Sequence, residues 1–331
     1  MSGSIELVCP AGSPAMLREA VEAGADSVYC GLRDETNARN FPGLNFSPQE
    51  LAEAAAWMRG RGRRLLAAVN TFARAGATGA WRSAVDTVAR SGAHALIAAD
   101  LGVLAYARET WPDLRLHLSV QAAAGSPEAI GFYARAYGVK RVVLPRVLTV
   151  DEIRTLQAAV GVETEAFVYG GLCVMAEGRC ALSSYVTGRS PNLSGVCSPP
   201  EAVSYTEEAG ATTARLGGLA LDRYPAGAPA GYPTLCKGCF QAGEVTGHLF
   251  EEPLSLNAIG ILAGLRDAGV TAVKVEGRQR GKAYVRRVAS VFRRAIDALD
   301  RGRDPAGLEP LLAELAEGGR QTAGAYRKAW R

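Results

Sequence analysis

The sequence predicts an α/β fold in which eight strands alternate with helices and close into a (β/α)8 barrel of the TIM type. A recurring sequence pattern predicts this fold: a helix ends at glycine, one or two small residues follow, and an apolar strand begins. The pattern occurs around Gly24, Gly92, Gly138 and Gly269, where glycine suits a left-handed helix end because it lacks Cβ. The strands that follow are continuous apolar runs, typical of parallel strands covered on both faces.

Each element has its own signal in the sequence. The eight strands are predicted at 5–9, 27–32, 65–70, 95–100, 114–120, 141–145, 164–169 and 272–276. An amphipathic helix is predicted after each of the first six strands. Four of these helices begin at N-cap hydroxyls, some before proline and some with capping-box spacing, namely Ser13, Ser47 with Glu50, Ser126, and Thr149 with Glu152. A final helix is predicted at 282–300. A doubly wound sheet is the alternative, but no G-x-G-x-x-G follows the first strand.

One long segment departs from the repeat. We divide the chain into the first seven strands (1–169), an insertion (170–253), the closing helix, strand and helix (254–300) and a C-terminal tail packing on the barrel (301–331). The insertion contains proline-rich turns and a predicted hairpin around 203–222. Because it leaves the carboxyl end of strand seven, where barrel enzymes place their chemistry, we expect it to cover the functional face.

Composition narrows the class of protein. The 331 residues are 48% hydrophobic and 21% charged with a net charge of +4, as in an ordinary soluble globular protein. This net charge is compatible with binding of an anionic small molecule or with weak nucleic-acid binding, but it does not indicate either one. We find no secretion signal and no apolar run long enough for a transmembrane segment, and therefore expect a cytoplasmic protein. An odd number of cysteines in such a chain favours metal ligation or thiol chemistry over disulfides.

Five of the seven cysteines lie in the insertion, at Cys173, Cys180, Cys197, Cys236 and Cys239. Four thiolates could hold zinc or an iron–sulfur cluster. Zinc sites usually use close C-x2-C pairs, and the wide spacings here favour a cluster held by several loops. The alternative is a set of unligated buried thiols, which is our prediction for the strand-end cysteines Cys9 and Cys30. Spacing leaves open whether Cys236 or Cys239 is the fourth ligand.

Polar residues follow several predicted strands. Asn70, Gln121 and Glu276 are the candidates for catalysis, and Arg146 and Arg278 could bind carboxylates in bidentate fashion. Asp100 and Ser119 belong to the same ring of strand ends. All of these could instead close the barrel mouth through mutual hydrogen bonds. His117 is predicted to be a structural histidine inside the barrel. The polar loop 32–48 is a lid, a subunit contact or an ordinary solvated loop.

Four long motifs resemble the collagenase-like peptidase family of unassigned catalytic type: LVCPAGSPAMLREAVEAGADSVYCGL, GLCVMAEGRCALSSYVTGRSPN, GYPTLCKG and KVEGRQRGKAYV. The resemblance covers nearly the whole chain, and DETNARNFPGLNF and LDRY are most similar to members that serve ubiquinone biosynthesis. It implies oxygen-independent hydroxylation of the ring of ubiquinone precursors, not proteolysis, by a heterodimer with a related protein and with prephenate as oxygen donor. It also implies a 4Fe–4S cluster on Cys173, Cys180, Cys197 and Cys236, which leaves Cys239 aside.

The resemblance carries further expectations. Prephenate has two carboxylates, which would suit Arg146, Arg278 or Arg179 at the barrel mouth. A prenylated precursor is too apolar to diffuse in water, so we expect a lipid-carrier protein to present it; we expect no DNA partner. One alternative is a hydroxylase of RNA bases, which the charge of +4 and the 7% aromatic content favour less. Another is a non-catalytic subunit that carries the cluster as a scaffold.

Overall fold

The computed structural model describes residues 4–327, so the last residues of the predicted tail lie outside the described residues. Its first half contains seven neighbouring parallel strands, each paired with the next along the chain. Their bounds are β1 (Glu6–Pro10), β2 (Ser27–Gly31), β3 (Arg64–Val69), β4 (Ala95–Ala98), β5 (Arg115–Leu118), β6 (Arg141–Val143) and β7 (Glu163–Gly171).

A helix follows each of the first six strands, as predicted. These are α1 (Pro14–Glu22), α2 (Pro48–Arg59), α3 (Gly79–Ser91), α4 (Leu101–Thr110), α5 (Pro127–Tyr137) and α6 (Val150–Ala159). The side chains of Ser13, Ser47 and Ser126 accept backbone N–H bonds at the first turns of α1, α2 and α5. Both predicted capping boxes form, at Ser47 on α2 and at Thr149 on α6. The sequence therefore predicts the starts of these helices correctly.

The insertion after β7 contains two short helices, α7 (Ser184–Thr187) and α8 (Pro191–Ser194). The hairpin predicted around 203–222 is present, and a further strand extends it to a three-stranded antiparallel sheet of β8 (Val203–Glu208), β9 (Ala211–Leu216) and β10 (Leu219–Tyr224). A second hairpin, β11 (Cys239–Ala242) and β12 (Val245–His248), was not predicted. Its strands have only four residues each, too few for an apolar alternation to be recognised.

The chain then closes the barrel. β13 (Ser255–Asn257) runs antiparallel to β7, and α9 (Leu262–Asp267), β14 (Ala272–Val275) and α10 (Lys282–Asp300) follow. β14 pairs in parallel with both β1 and β7, which joins the two ends of the sheet. The predicted eight-stranded parallel barrel is therefore confirmed, and a doubly wound sheet is wrong. In the tail, β15 (Gln321–Thr322) pairs with β13.

Within residues 4–327, no helix has both the length and the apolar character that crossing a membrane requires.

The barrel interior is more charged than its apolar strands suggest. Arg141 contacts Glu6 at 2.6 Å, Glu163 at 2.7 Å and Glu165 at 3.2 Å, and Lys274 contacts Glu165 at 2.7 Å. An apolar cluster that includes Tyr29, Leu66, Ala68 and Ile97 shares the interior with these ion pairs. The alternating inward positions are thus part apolar and part charged, while outward positions pack on the helices.

Two predictions about buried side chains concern this core. His117 is buried, and its Nε2 accepts a hydrogen bond from Arg115 Nε at 3.0 Å, as expected of a structural histidine. Cys9 and Cys30 are fully buried among apolar side chains between the sheet and the helices. Both cysteines therefore behave as packed strand-end thiols.

Candidate functional site

A cavity of about 240 Å³ opens at the carboxyl ends of the barrel strands. Six of the polar strand-end residues singled out in the sequence line it together, namely Asn70, Ser119, Gln121, Arg146, Glu276 and Arg278. Asp100 has a different role, because its Oδ1 accepts a hydrogen bond from Val103 N at the start of α4. The strand ends thus supply one polar mouth on the face where barrel enzymes carry out chemistry.

Four charged side chains form a chain of ion pairs across this mouth. Arg146 donates from Nε to Glu177 Oε1 at 2.6 Å and from Nη1 to Glu276 Oε2 at 2.5 Å. The other oxygen of Glu276 lies 3.4 Å from Arg39 Nη2. Burial alone would raise the pKa of Glu276, but the charges of Arg146 and Arg39 outweigh it and lower the pKa to about 2. Glu276 is therefore an ionised hydrogen-bond acceptor at neutral pH.

Arg278 differs from the other arginines of the mouth. Its Nη1 donates to Asn37 Oδ1 at 2.7 Å, and its guanidinium lies 5.5 Å from the centre of the Tyr29 ring. Within the described part of the chain, no carboxylate forms a salt bridge with it. Burial lowers the pKa of Arg278 to about 10, which still leaves the side chain charged at neutral pH. A buried cation with unused N–H donors is suited to binding an anionic ligand.

The cysteines of the insertion separate into two groups. Cys173, Cys180, Cys197 and Cys236 all line the same cavity as the polar strand ends. Cys239 is not among the residues that line it; it lies on β11, where its backbone N–H donates to Asp222 Oδ1 at 3.2 Å. The arrangement thus singles out the four cysteines that the family resemblance implies, and separates Cys236 from Cys239 where spacing could not.

Close packing holds the insertion against the barrel mouth. Gly178 has φ +76°, and a Cβ at this position would lie 2.1 Å from Gln121 O. A Cβ at Gly195 would lie 2.4 Å from Ala38 Cβ. Backbone atoms also connect the two parts directly, because Phe72 N donates to Leu193 O at 3.2 Å. Glycine is required where the loops that carry the cysteines approach the strand ends this closely.

We next consider which group the four thiols could hold. Among residues 4–327, no three His, Cys, Asp or Glu side chains converge as ligands of a single metal ion. Tetrahedral zinc would bring the sulfurs within about 4 Å of one another, given Zn–S bonds of about 2.3 Å. Four cysteine sulfurs around one cavity are also the donor set of an iron–sulfur cluster, in which each sulfur binds a different iron.

The protonation of the thiols and the charges around them bear on metal binding. Burial raises the pKa of Cys236 to about 11, so Cys236 is a neutral thiol until a metal takes its proton. Arg146 and Arg39 line the same cavity, and Glu177 and Glu276 pair with them. The cavity therefore places four cysteine sulfurs, a donor set that metals bind, beside a chain of paired charges.

Sequence reasoning placed one arginine wrongly and missed several residues of the site. Arg179 is exposed and is not among the residues that line the cavity. The missed polar residues are Arg39 and Asn37, both in the loop that was one candidate for a lid, and Glu177, which lies between Cys173 and Cys180 in the sequence. The missed apolar lining comprises Tyr29, Ala68, Ile97, Val143 and Phe167.

Comparison with known proteins places this site in a family. Residues 12–325 match Peptidase family U32. The chain is 31% identical over 325 residues to tRNA hydroxylation protein P of Haemophilus influenzae, covering 90% of this chain and 68% of that protein. It is 30% identical over 308 residues to a collagenase of Porphyromonas gingivalis, covering 90% and 66%. It is 29% identical over 301 residues to the 23S rRNA 5-hydroxycytidine C2501 synthase of Escherichia coli, covering 90% and 40%. The chain thus spans about two thirds of the first two relatives and less than half of the third, and it belongs to peptidase family U32.

Proposed function

We propose that this chain is a subunit of an oxygen-independent hydroxylase that acts on the aromatic ring of ubiquinone precursors. The observation that carries the proposal is one cavity at the carboxyl end of the barrel. Four cysteines line it, together with a buried arginine, Arg278, that has no carboxylate partner among residues 4–327. In this proposal the chain has the role of UbiU and pairs with a UbiV-like protein, and prephenate donates the oxygen. Relatives named as tRNA and rRNA hydroxylation proteins support the general class of reaction.

In this proposal Cys173, Cys180, Cys197 and Cys236 hold a 4Fe–4S cluster. When bound, the cluster would supply one-electron redox chemistry for a hydroxylation without molecular oxygen. The protein's own contribution is to hold the four sulfurs on loops packed against the strand ends and to keep Arg146 and Arg39 beside them. Of the two, Arg146 pairs with both Glu177 and Glu276, and Arg39 shares one oxygen of Glu276.

The same cavity offers a site for the oxygen donor. Arg278 could bind a prephenate carboxylate in bidentate fashion, because its guanidinium has no carboxylate partner among residues 4–327. Arg146 is less available, since Glu177 and Glu276 already occupy its donors. The side chains of Tyr29, Ile97 and Phe167 provide an apolar wall for a ring. Asn70 and Gln121 contribute amide groups at the mouth that can orient a polar substituent.

The second substrate, a prenylated aromatic ring, requires a route from the lipid phase. We propose that a lipid-carrier protein presents the ring at the cavity while the prenyl tail remains with the carrier. Exposed apolar residues of the insertion, such as Tyr185, Val245 and Leu249, are available for contact with a partner. Production of the chain with a UbiV-like protein and with a lipid carrier, followed by co-purification, tests both partnerships.

The ligand set can be tested by anaerobic purification followed by iron and sulfide counts. Cys→Ala variants at positions 173, 180, 197 and 236 should each lose cluster, whereas Cys239→Ala, in the same insertion, should retain it. Zinc in place of iron in the wild type would contradict the cluster. Retention in Cys236→Ala combined with loss in Cys239→Ala would contradict the choice of fourth ligand.

The carboxylate site can be tested with matched arginine variants. Arg278→Gln should weaken the binding of prephenate, measured calorimetrically, and lower prephenate-dependent hydroxylation while the cluster absorbance remains. Arg179→Gln is the control, since Arg179 is also an arginine of this face but its side chain is exposed outside the cavity. Unchanged prephenate binding in Arg278→Gln would contradict this assignment.

Hydroxylation of RNA is the second candidate function, and the names of the relatives favour it. Metabolite analysis of an anoxic culture lacking the gene separates the two. Loss of ubiquinone, with RNA nucleosides unchanged, is expected if the precursor ring is the substrate, whereas loss of a hydroxylated nucleoside would favour RNA. A third candidate is a non-catalytic subunit that carries the cluster as a scaffold. In that case, substitutions at Arg278 and Glu276 would leave both the activity of the complex and heterodimer formation intact.

A further inference from the structure

The loop between β2 and α2 carries an arginine into the cysteine-lined cavity. Leu32 and Phe46 form a bridge at the base of this loop, and Arg39 lies near its middle. The Arg39 guanidinium donates to the backbone oxygen of Gly195 and lies 3.4 Å from Glu276 Oε1. Arg39 thus connects the loop to the insertion two residues before Cys197, and to the carboxyl end of β14.

Arg39 places a positive charge in the cavity that the four cysteines line. Its side chain is 25% exposed, so water screens the charge only in part. Burial alone would lower the pKa of Arg39, but the negative charge of Glu276 outweighs it and raises the pKa above its ordinary value. Arg39 therefore keeps its charge, and its side chain lines the same cavity as Cys173 and Cys197.

We propose that Arg39 sets the reduction potential of the iron–sulfur cluster, an inference that rests on the cluster of the proposed function. One-electron reduction adds a negative charge to the cluster and its four thiolates. A nearby cation stabilises the reduced form more than the oxidised form and therefore raises the reduction potential. Of the two arginines in the chain of ion pairs, Arg146 is neutralised by two glutamates, whereas Arg39 shares only one oxygen of Glu276. Removal of Arg39 should therefore change the local field strongly.

The test is a redox titration of anaerobically reconstituted protein, with dithionite supplying the electron and EPR reporting the reduced cluster. Arg39→Gln should shift the midpoint potential to a more negative value, and Arg39→Lys, which keeps the charge, should shift it less. Arg33→Gln is the matched control. Arg33 lies in the same loop, but it is exposed and pairs with Glu50 on α2, so its loss disturbs the loop without removing charge from the cavity.

The outcomes distinguish this inference from the proposed function. Failure of the wild type to bind iron and sulfide would contradict the proposed function itself. A full cluster with an unchanged midpoint potential in Arg39→Gln would overturn only the role of Arg39, as would an equal shift in Arg33→Gln. If Arg39→Gln retains no iron, Glu276→Gln tests the same coupling. This variant removes the carboxylate that pairs with Arg39, so the midpoint potential of the cluster should become more positive. An unchanged midpoint potential would overturn the inference.

Discussion

Arg146 and Arg278 line the same cavity and are equally buried, with 6% and 7% of their surfaces exposed, but within the described residues only Arg146 has carboxylate partners. Arg146 lies between Glu177 and Glu276 and packs over the Phe167 ring at 4.1 Å. Arg278 contacts an amide oxygen and the face of an aromatic ring. The first arginine is part of a satisfied internal network, whereas the second has an uncompensated charge.

Arg146→Met should lower the free energy of unfolding by about 3–5 kcal/mol, because it leaves the buried carboxylate of Glu177 without its cation. Urea unfolding of the cluster-free protein measures this change. The double variant Arg146→Met with Glu177→Met removes both charges and should recover much of the loss. An unchanged free energy in the single variant would show that the pair contributes nothing to folding.

Arg278→Met should have the opposite effect and raise the free energy of unfolding by about 1–4 kcal/mol. It replaces a buried unpaired charge with an apolar side chain of similar length. The same urea experiment in the absence of ligand compares the two variants directly. Destabilisation in Arg278→Met would mean that Asn37 and Tyr29 already compensate the charge, and would weaken the argument for a ligand.

Gly178→Ala should disturb the loop that carries Cys173 and Cys180, because φ is +76° and the added Cβ would meet the backbone oxygen of Gln121. We expect the reconstituted iron content to fall. Gly188→Ala is the control: its φ is +69°, but its Cβ would have no neighbour within 4 Å. The control should cost only the left-handed backbone strain of about 1–2 kcal/mol. Equal iron contents in both variants would show that the close approach is unimportant.

The barrel could be predicted because its signals are local. Ser47 and Thr149 satisfy N–H groups within one helical turn, and glycines such as Gly92 and Gly138 end helices with φ of 75° and 70°. Each signal concerns a few consecutive residues, and the eight repeats of strand and helix leave few alternatives for the topology. The convergence of the strand ends then followed from the geometry of a parallel barrel.

Contacts between distant segments could not be predicted in the same way. Arg39 and Glu276 are 237 positions apart, and only the folded loop brings them together. In the sequence Arg179 and Arg278 are both arginines near candidate motifs, and nothing local shows that one is exposed and the other buried. The charged barrel interior was missed for another reason: Arg141 and Lys274 alternate with strongly apolar outward residues, which dominate the pattern of the strands.

His117 should make the protein sensitive to mild acid. Burial and the nearby charges of Arg141, Arg115 and Lys274 hold the pKa of His117 well below its usual range, so the folded state keeps it neutral. The unfolded state binds a proton below about pH 6.5, and stability is therefore lost as the pH falls through that value. Between pH 6.5 and 5 one such histidine costs about 2 kcal/mol. His117→Gln should show a smaller loss by urea unfolding, while exposed His248→Gln should match the wild type.

Thiol labelling should divide the seven cysteines into three groups. Cys9 and Cys30 are fully buried, and burial raises the pKa of Cys30 to about 12, so neither should react with iodoacetamide in the native protein. The five cysteines of the insertion are exposed or partly exposed and should all be modified in cluster-free protein. Mass spectrometry of digested peptides identifies each site.

Loading of the cluster should then protect four of these five sulfurs and leave one reactive. Cys239 is the expected exception, because it lies on β11 with its backbone bonded to Asp222 and is absent from the residues that line the cavity within the described chain. Denatured protein serves as the control in which all seven thiols react. Protection of Cys239 together with modification of Cys236 would require the loop before β11 to rearrange, because Cys236, and not Cys239, lines the cavity with the other three cysteines in the described chain.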